Sequence, residues 1–118
     1  MDKQRLAGKN ILVTGAAQGM GAAIAIDYAA QGAKVCLGDV NLDGVAKVVA
    51  EITDAGGIAT WVKLDVTSEV DAAAAVAHTV AEFGSINVLV NNAGVNKPLF
   101  FLDITRETVS YTHLRAHE

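Results

Sequence analysis

The chain has 118 residues, of which 52% are hydrophobic, 19% charged and 5% aromatic. That balance excludes a disordered chain and suffices for one domain with a buried core. The net charge of −4 leaves no broad basic field for a nucleic acid or an anionic membrane, although a single nucleotide needs only a local site.

The one cysteine, Cys36, rules out an internal disulfide. It lies in the apolar run Lys34-Val35-Cys36-Leu37 and reads as a small buried hydrophobe. The basic residues after Met1 are not followed by an apolar signal region, and no apolar stretch approaches the roughly 20 residues of a membrane span. The expectation is a cytoplasmic protein with no nucleic-acid and no membrane partner.

In chain order, Ile11 to Val13 is a short apolar run and reads as a strand buried on both faces. Gly21 to Ala30 carries Ile24, Ile26 and Tyr28 among alanines, with Gly32 beyond, and reads as a helix. Lys34 to Asp39 is the second strand. Leu42 to Ala55 sets Val45, Val48, Val49 and Ile52 at helical spacing and closes on Gly56-Gly57. Ile58 to Leu64 is the third strand. Ser68 to Phe83 is a helix with Ser68 as N-cap, Glu69 and Asp71 in its first turn, Val76 and Val80 on one face, and Gly84 at its end. Ile86 to Val90 is the fourth strand. Strands alternating with helices imply right-handed crossovers and a doubly wound parallel α/β sheet. No repeat or linker interrupts the pattern up to about Asp103.

The segment Thr14-Gly15-Ala16-Ala17-Gln18-Gly19-Met20-Gly21 follows a strand and opens a helix. In that context the first glycine makes a tight turn, the second lets a pyrophosphate approach the backbone, and the third lets helix and strand pack closely. The helix N-terminus then offers unpaired N–H groups to phosphates. A plain βα turn is the alternative. Asp39 ends the second strand, where a nucleotide-binding fold places an acid on the adenosine ribose; otherwise it is a solvated turn acid. Asp65, before Val66, ends the third strand and alone reads equally as a turn residue. The fourth strand ends in Asn91-Asn92-Ala93-Gly94, small residues that suit a ligand crevice or an ordinary turn.

Taken together, these residues resemble the short-chain dehydrogenase/reductase family. The glycines follow its Gly-x-x-x-Gly-x-Gly spacing after a threonine, Asp65-Val66 matches its adenine-binding acid, and Asn91-Asn92-Ala93-Gly94 matches its strand-end motif. The resemblance runs over about residues 7 to 107. It implies a Rossmann-type sheet with strand order 3-2-1-4 in this part. It also implies roles. Gly15, Gln18, Gly19, Met20 and Gly21 would line the pyrophosphate and nicotinamide side of the cofactor. Asp39 would bind the adenosine ribose, and Asp65 and Val66 the adenine edge. Asn92, Ala93 and Gly94 would stand beside the second ribose, with Asn91 bracing the sheet. The implied activity is hydride transfer between NAD and a secondary alcohol or ketone, and the parent protein would be a homodimer or homotetramer.

The family's catalytic Ser and Tyr-x-x-x-Lys pair have no counterpart. Tyr28 comes too early, Tyr111 is followed four positions later by Arg115, and Ala116 stands near where a catalytic Asn belongs. The expectation is a cofactor-binding part, residues 1–108, lacking catalytic residues and inactive alone. Leu102 to Glu107 still looks like the start of the family's fourth helix. Residues 109–118 lack its apolar spacing and read as a non-native tail. His113 and His117 are spaced for one metal on a helical turn but have no third ligand in sight, so no metal is expected. His78 reads as a surface or groove residue. Without further strands, Ile86 to Val90 should form a bare, uncharged sheet edge prone to aggregation, and the tail reads as too polar to cover it. The competing readings are a non-catalytic nicotinamide-nucleotide-binding module and an S-adenosylmethionine methyltransferase. The second is disfavoured by the Asn-Asn-Ala-Gly strand end and by Thr14 before Gly15.

Overall fold

The computed structural model describes residues 5–92 and 110–112. Within them the order is β1 (Asn10–Thr14), α1 (Gly19–Ala30), β2 (Lys34–Asp39), α2 (Leu42–Asp54), β3 (Ile58–Lys63), α3 (Glu69–Phe83), β4 (Val88–Val90) and β5 (Ser110–Thr112). The strands form one parallel sheet in the order β3-β2-β1-β4-β5. The expected order 3-2-1-4 is present, with a fifth strand beyond it.

All five residues of β1 are buried, as its central place requires. Side chains alternate across the sheet with the two-residue period of a strand. Ile11, Val13, Val35, Leu37 and Val90 enter the core formed with α1 and α2. Leu12, Cys36 and Leu89 enter the opposite core, against Ala72 and Ala75 of α3. Local chemistry sets the helix ends. Asn41 Oδ1 accepts from Gly44 N–H at 3.0 Å, and Ser68 Oγ accepts from Asp71 N–H at 3.1 Å. Gly84 ends α3 at φ 95°, a conformation that favours glycine.

The buried faces of the three helices differ in kind. In α2 the apolar spacing holds, and Val45, Val48 and Ile52 are buried. In α1 the buried residues are Gly21, Ala25 and Ala29, while Ile26 is 40% exposed. In α3 they are Ala72, Ala75 and Thr79, while Val80 is 41% exposed. The stripes of small residues at three- and four-residue spacing face the sheet, which lets the helix axes approach it closely. The larger residues then fall outside the contact. The third strand lies at the sheet edge, and Ile58 and Trp61 are exposed there.

The fourth strand corrects an expectation. It is shorter than Ile86 to Val90, since Ile86 packs into the α3-side core from the preceding loop. Nor is it bare. Val88, Leu89 and Val90 pair in parallel with Ser110, Tyr111 and Thr112. Edge N–H and C=O groups bond to backbone, so a polar sequence satisfies them as well as an apolar one.

Cys36 is fully buried, and burial pushes its thiol up to about 11. A bond from Thr79 partly opposes this and the charge of Glu82 adds to it. A thiol-specific reagent at pH 8 should therefore leave Cys36 unlabelled in the folded chain and label it rapidly in denaturant. Fast native labelling would place Cys36 at a surface rather than beneath α3.

Candidate cofactor site

The site is built where β1, β2 and β3 end, on the carboxyl side of the sheet. Gly15 leaves β1 at φ 64° and Gly19 enters α1 at φ 63°, so both joints of the turn use the left-handed region that glycine tolerates. A Cβ at Gly19 would meet nothing within 4 Å. Its side is open, as a backbone cradle for a phosphate requires. At Gly21 the reverse holds: a Cβ would collide with the Gly15 carbonyl oxygen and come within 2.8 Å of Asn92 Nδ2. Asn92 Nδ2 also donates to that carbonyl at 3.4 Å. Gln18, the N-cap of α1, makes no side-chain capping bond, so the first N–H groups of α1 lack a side-chain partner from that position. Gln18, Gly19 and Met20 are exposed and Gly21 is buried.

Gly15, Asp39, Asp65 and Val66 converge on one cleft of about 180 Å³, although the sequence separates them by up to half the chain. Val40 and Leu64 complete its lining. Sequence reasoning missed these two, and adjacency to Asp39 and Asp65 was the only signal for them. Asp39 Oδ2 accepts from Ala17 N–H at 3.1 Å and Oδ1 from Asn41 N–H at 3.0 Å. Asp65 Oδ1 accepts from Thr67 N–H at 2.9 Å and from the Thr67 hydroxyl at 2.6 Å. Its own N–H donates to Asp71 Oδ2 at 3.0 Å. Asp71, expected only as a first-turn acid, thus anchors the end of β3 and also pairs with Lys63 at 3.7 Å.

The Thr67 hydroxyl, then the Thr67 N–H, hold the Asp65 carboxyl below the usual carboxylate range. Because the folded value is depressed, the stabilisation it brings is present above the unfolded value and is lost as pH falls through the folded one. Thr67→Ala removes the hydroxyl bond but leaves the N–H bond. It should move the Asp65 titration upward in a side-chain NMR experiment, and an unmoved titration would deny the hydroxyl its part.

At the end of β4, Asn91 is fully buried and its Oδ1 accepts from the Thr14 hydroxyl at 3.0 Å, tying β4 to β1. That contact fits the sheet-bracing place the resemblance implied. Asn92 stands half-buried beside the glycine-rich turn. Ala93 and Gly94 lie outside the described residues, as do His113, His117 and the apolar cluster Leu99 to Leu102. His78 sits half-buried on α3, with Nε2 3.1 Å from Thr60 Oγ1 of β3.

Gly15, which opens the glycine-rich turn, also lines the cleft. A family model described as short chain dehydrogenase matches residues 9–113. The chain belongs to the short-chain dehydrogenase family. This is a family of oxidoreductases that use NAD(P). A 2,5-dichloro-2,5-cyclohexadiene-1,4-diol dehydrogenase of Sphingobium indicum is 48% identical over 94 residues, which cover 80% of this chain and 38% of that protein. The 7alpha-hydroxysteroid dehydrogenase of Escherichia coli is 41% identical over 97 residues, covering 82% of this chain and 38% of its own length. A solved 7alpha-hydroxysteroid dehydrogenase, complexed with NADH and 7-oxo glycochenodeoxycholic acid, is similar with a TM-score of 0.76 at 36% identity, over 91% of this chain and 44% of that one. The present short-chain dehydrogenase sequence thus spans less than half the length of these relatives.

Proposed function

We propose that this chain is the cofactor-binding part of an NAD-dependent oxidoreductase that moves hydride between NAD(H) and a secondary alcohol or ketone. The observation that carries the reading is the convergence of Gly15, Asp39, Asp65 and Val66 on one cleft beside the glycine-rich turn. The open side of Gly19 fits a pyrophosphate, with Gln18 and Met20 flanking it and Gly21 seating the helix below. Asp39 takes the adenosine ribose, Asp65 and Val66 take the adenine edge, and Asn92, Ala93 and Gly94 stand by the second ribose. Bound there, the nicotinamide supplies or accepts the hydride. The complete protein is a cytoplasmic homodimer or homotetramer without nucleic-acid or membrane partners.

NAD is preferred to NADP. A 2′-phosphate at Asp39 would face a carboxylate, and Val40, Asn41 and Leu42, which follow it, offer no cation to neutralise the phosphate. Calorimetric titration should give NAD at least about a tenfold advantage, or roughly 1.4 kcal/mol. Equal or tighter NADP binding would sink this role for Asp39. The competing reading is a nucleotide-binding module without turnover, which differs from the first by the presence or absence of a Tyr-x-x-x-Lys motif in the parent. A parent reading frame that continues into that motif decides for the enzyme.

A further inference from the structure

The segment Ala16 to Gln18 lies between two glycines at φ 64° and 63°. A short stretch with a glycine joint at each end has little conformational preference of its own. Something outside it must hold it still if it is to meet a phosphate preorganised. Among the described residues two such ties run to the end of β2. Ala16 N–H donates to the Gly38 carbonyl at 3.3 Å, and Ala17 N–H donates to Asp39 Oδ2 at 3.1 Å. The second is the shorter, and its acceptor is a carboxylate, so it is the stronger.

The same carboxylate reaches α2. Asp39 Oδ1 accepts from Asn41 N–H at 3.0 Å, and Asn41 in turn caps α2 through Gly44 N–H at 3.0 Å. Gly44 lies against the turn: a Cβ there would stand 2.9 Å from the Ala17 Cβ. The turn, the end of β2 and the start of α2 therefore form a closed circuit with Asp39 at its centre. An ionised carboxylate accepts at about four lone-pair sites. Two are used here, and two remain for ribose hydroxyls without breaking the circuit.

We infer that Asp39 is also a positioning residue, holding the phosphate-binding turn in place whether or not a ribose hydroxyl contacts it. The inference rests on the cofactor reading for the site's location but makes a separate claim. If Asp39 acted only through the ribose, removing its carboxylate would cost nothing for a ligand without ribose hydroxyls.

The test compares ADP with 2′,3′-dideoxyadenosine diphosphate on the wild-type chain and on Asp39→Ala. ADP should weaken about a hundredfold, by losing ribose bonds and staple together. The dideoxy ligand should still weaken about tenfold, the loss of one charge-assisted bond. Equal binding of the dideoxy ligand to both chains overturns the inference. Amide exchange in the free chain gives a readout without ligand. Ala17 N–H should exchange about tenfold faster in Asp39→Ala while Leu12 N–H of β1 is unchanged; unchanged Ala17 exchange overturns the inference. Should Asp39→Ala lose protection throughout, Asp39→Asn carries the same comparison, since its single amide oxygen satisfies only one of the two N–H groups at full strength. Wild-type chain that binds neither nucleotide would defeat the cofactor reading, and the staple would then stand or fall on the exchange measurement.

Discussion

Gly21→Ala should lower the stability of this chain by about 3 kcal/mol, the upper range for forcing a methyl group into a packed site. The added Cβ would collide with the Gly15 carbonyl oxygen and would press within 2.8 Å of Asn92 Nδ2. Neither neighbour gives way cheaply. The carbonyl is backbone at the end of the buried strand β1, and Asn92 donates to that same carbonyl. Relief requires α1 to lift from the sheet, and lifting α1 separates Ala25 and Ala29 from the core. The measurement is urea unfolding, read as a midpoint shift at constant slope. Gly19→Ala is the control. Its Cβ meets nothing within 4 Å but sits at φ 63°, so it should cost only the roughly 1–2 kcal/mol of a left-handed non-glycine residue. Cofactor affinity should rank differently: Gly19→Ala places a methyl in the cradle itself and should bind nucleotide poorly despite its better stability. A Gly21→Ala chain with the wild-type midpoint would mean that α1 does not seat as closely as this packing requires.

The second large effect is kinetic. The 118-residue chain, assayed with NAD and a panel of secondary alcohols, should show no turnover above background. A positioned acid–base group contributes typically about 10²–10⁴-fold to such a proton transfer, and among the described residues the ionisable side chains that line the cleft are Asp39 and Asp65, both engaged in holding backbone N–H groups, with no tyrosine–lysine pair beside them. Tyr28 packs beside the α1–α2 core, and no lysine stands four residues after either tyrosine. Turnover that survives repurification, and disappears with Gly19→Ala or Asp39→Ala, would show that another group of this chain performs the acid–base step.

The order of the elements was legible in the residues. Short apolar runs such as Ile11 to Val13 have only one way to be buried between helices, and the glycines at 32, 56 and 84 all adopt positive φ just after a helix. Glycines 15, 19 and 21 could also be assigned before the fold was known, because a positive φ and a close helix–strand approach each demand that residue. Helix faces were less legible. Hydrophobicity favours Ile26 and Val80 for the core, but close approach to a sheet favours alanine and glycine, and the second effect prevailed in α1 and α3.

The sequence by itself determined the alternation of strands and helices, the glycine joints of the turn and the acids at the strand ends, because each depends on a residue's own backbone preference or on short-range spacing. Only the tertiary structure decided that Asp39 reaches Ala17 across 22 residues, that Asp71 anchors Asp65, and that Ser110 to Thr112 pair with β4. Those contacts join segments that are distant along the chain. Hydrogen-bond donors and acceptors are common to almost every residue, so their pairing is set by where the packed sheet brings the strand ends and not by residue type.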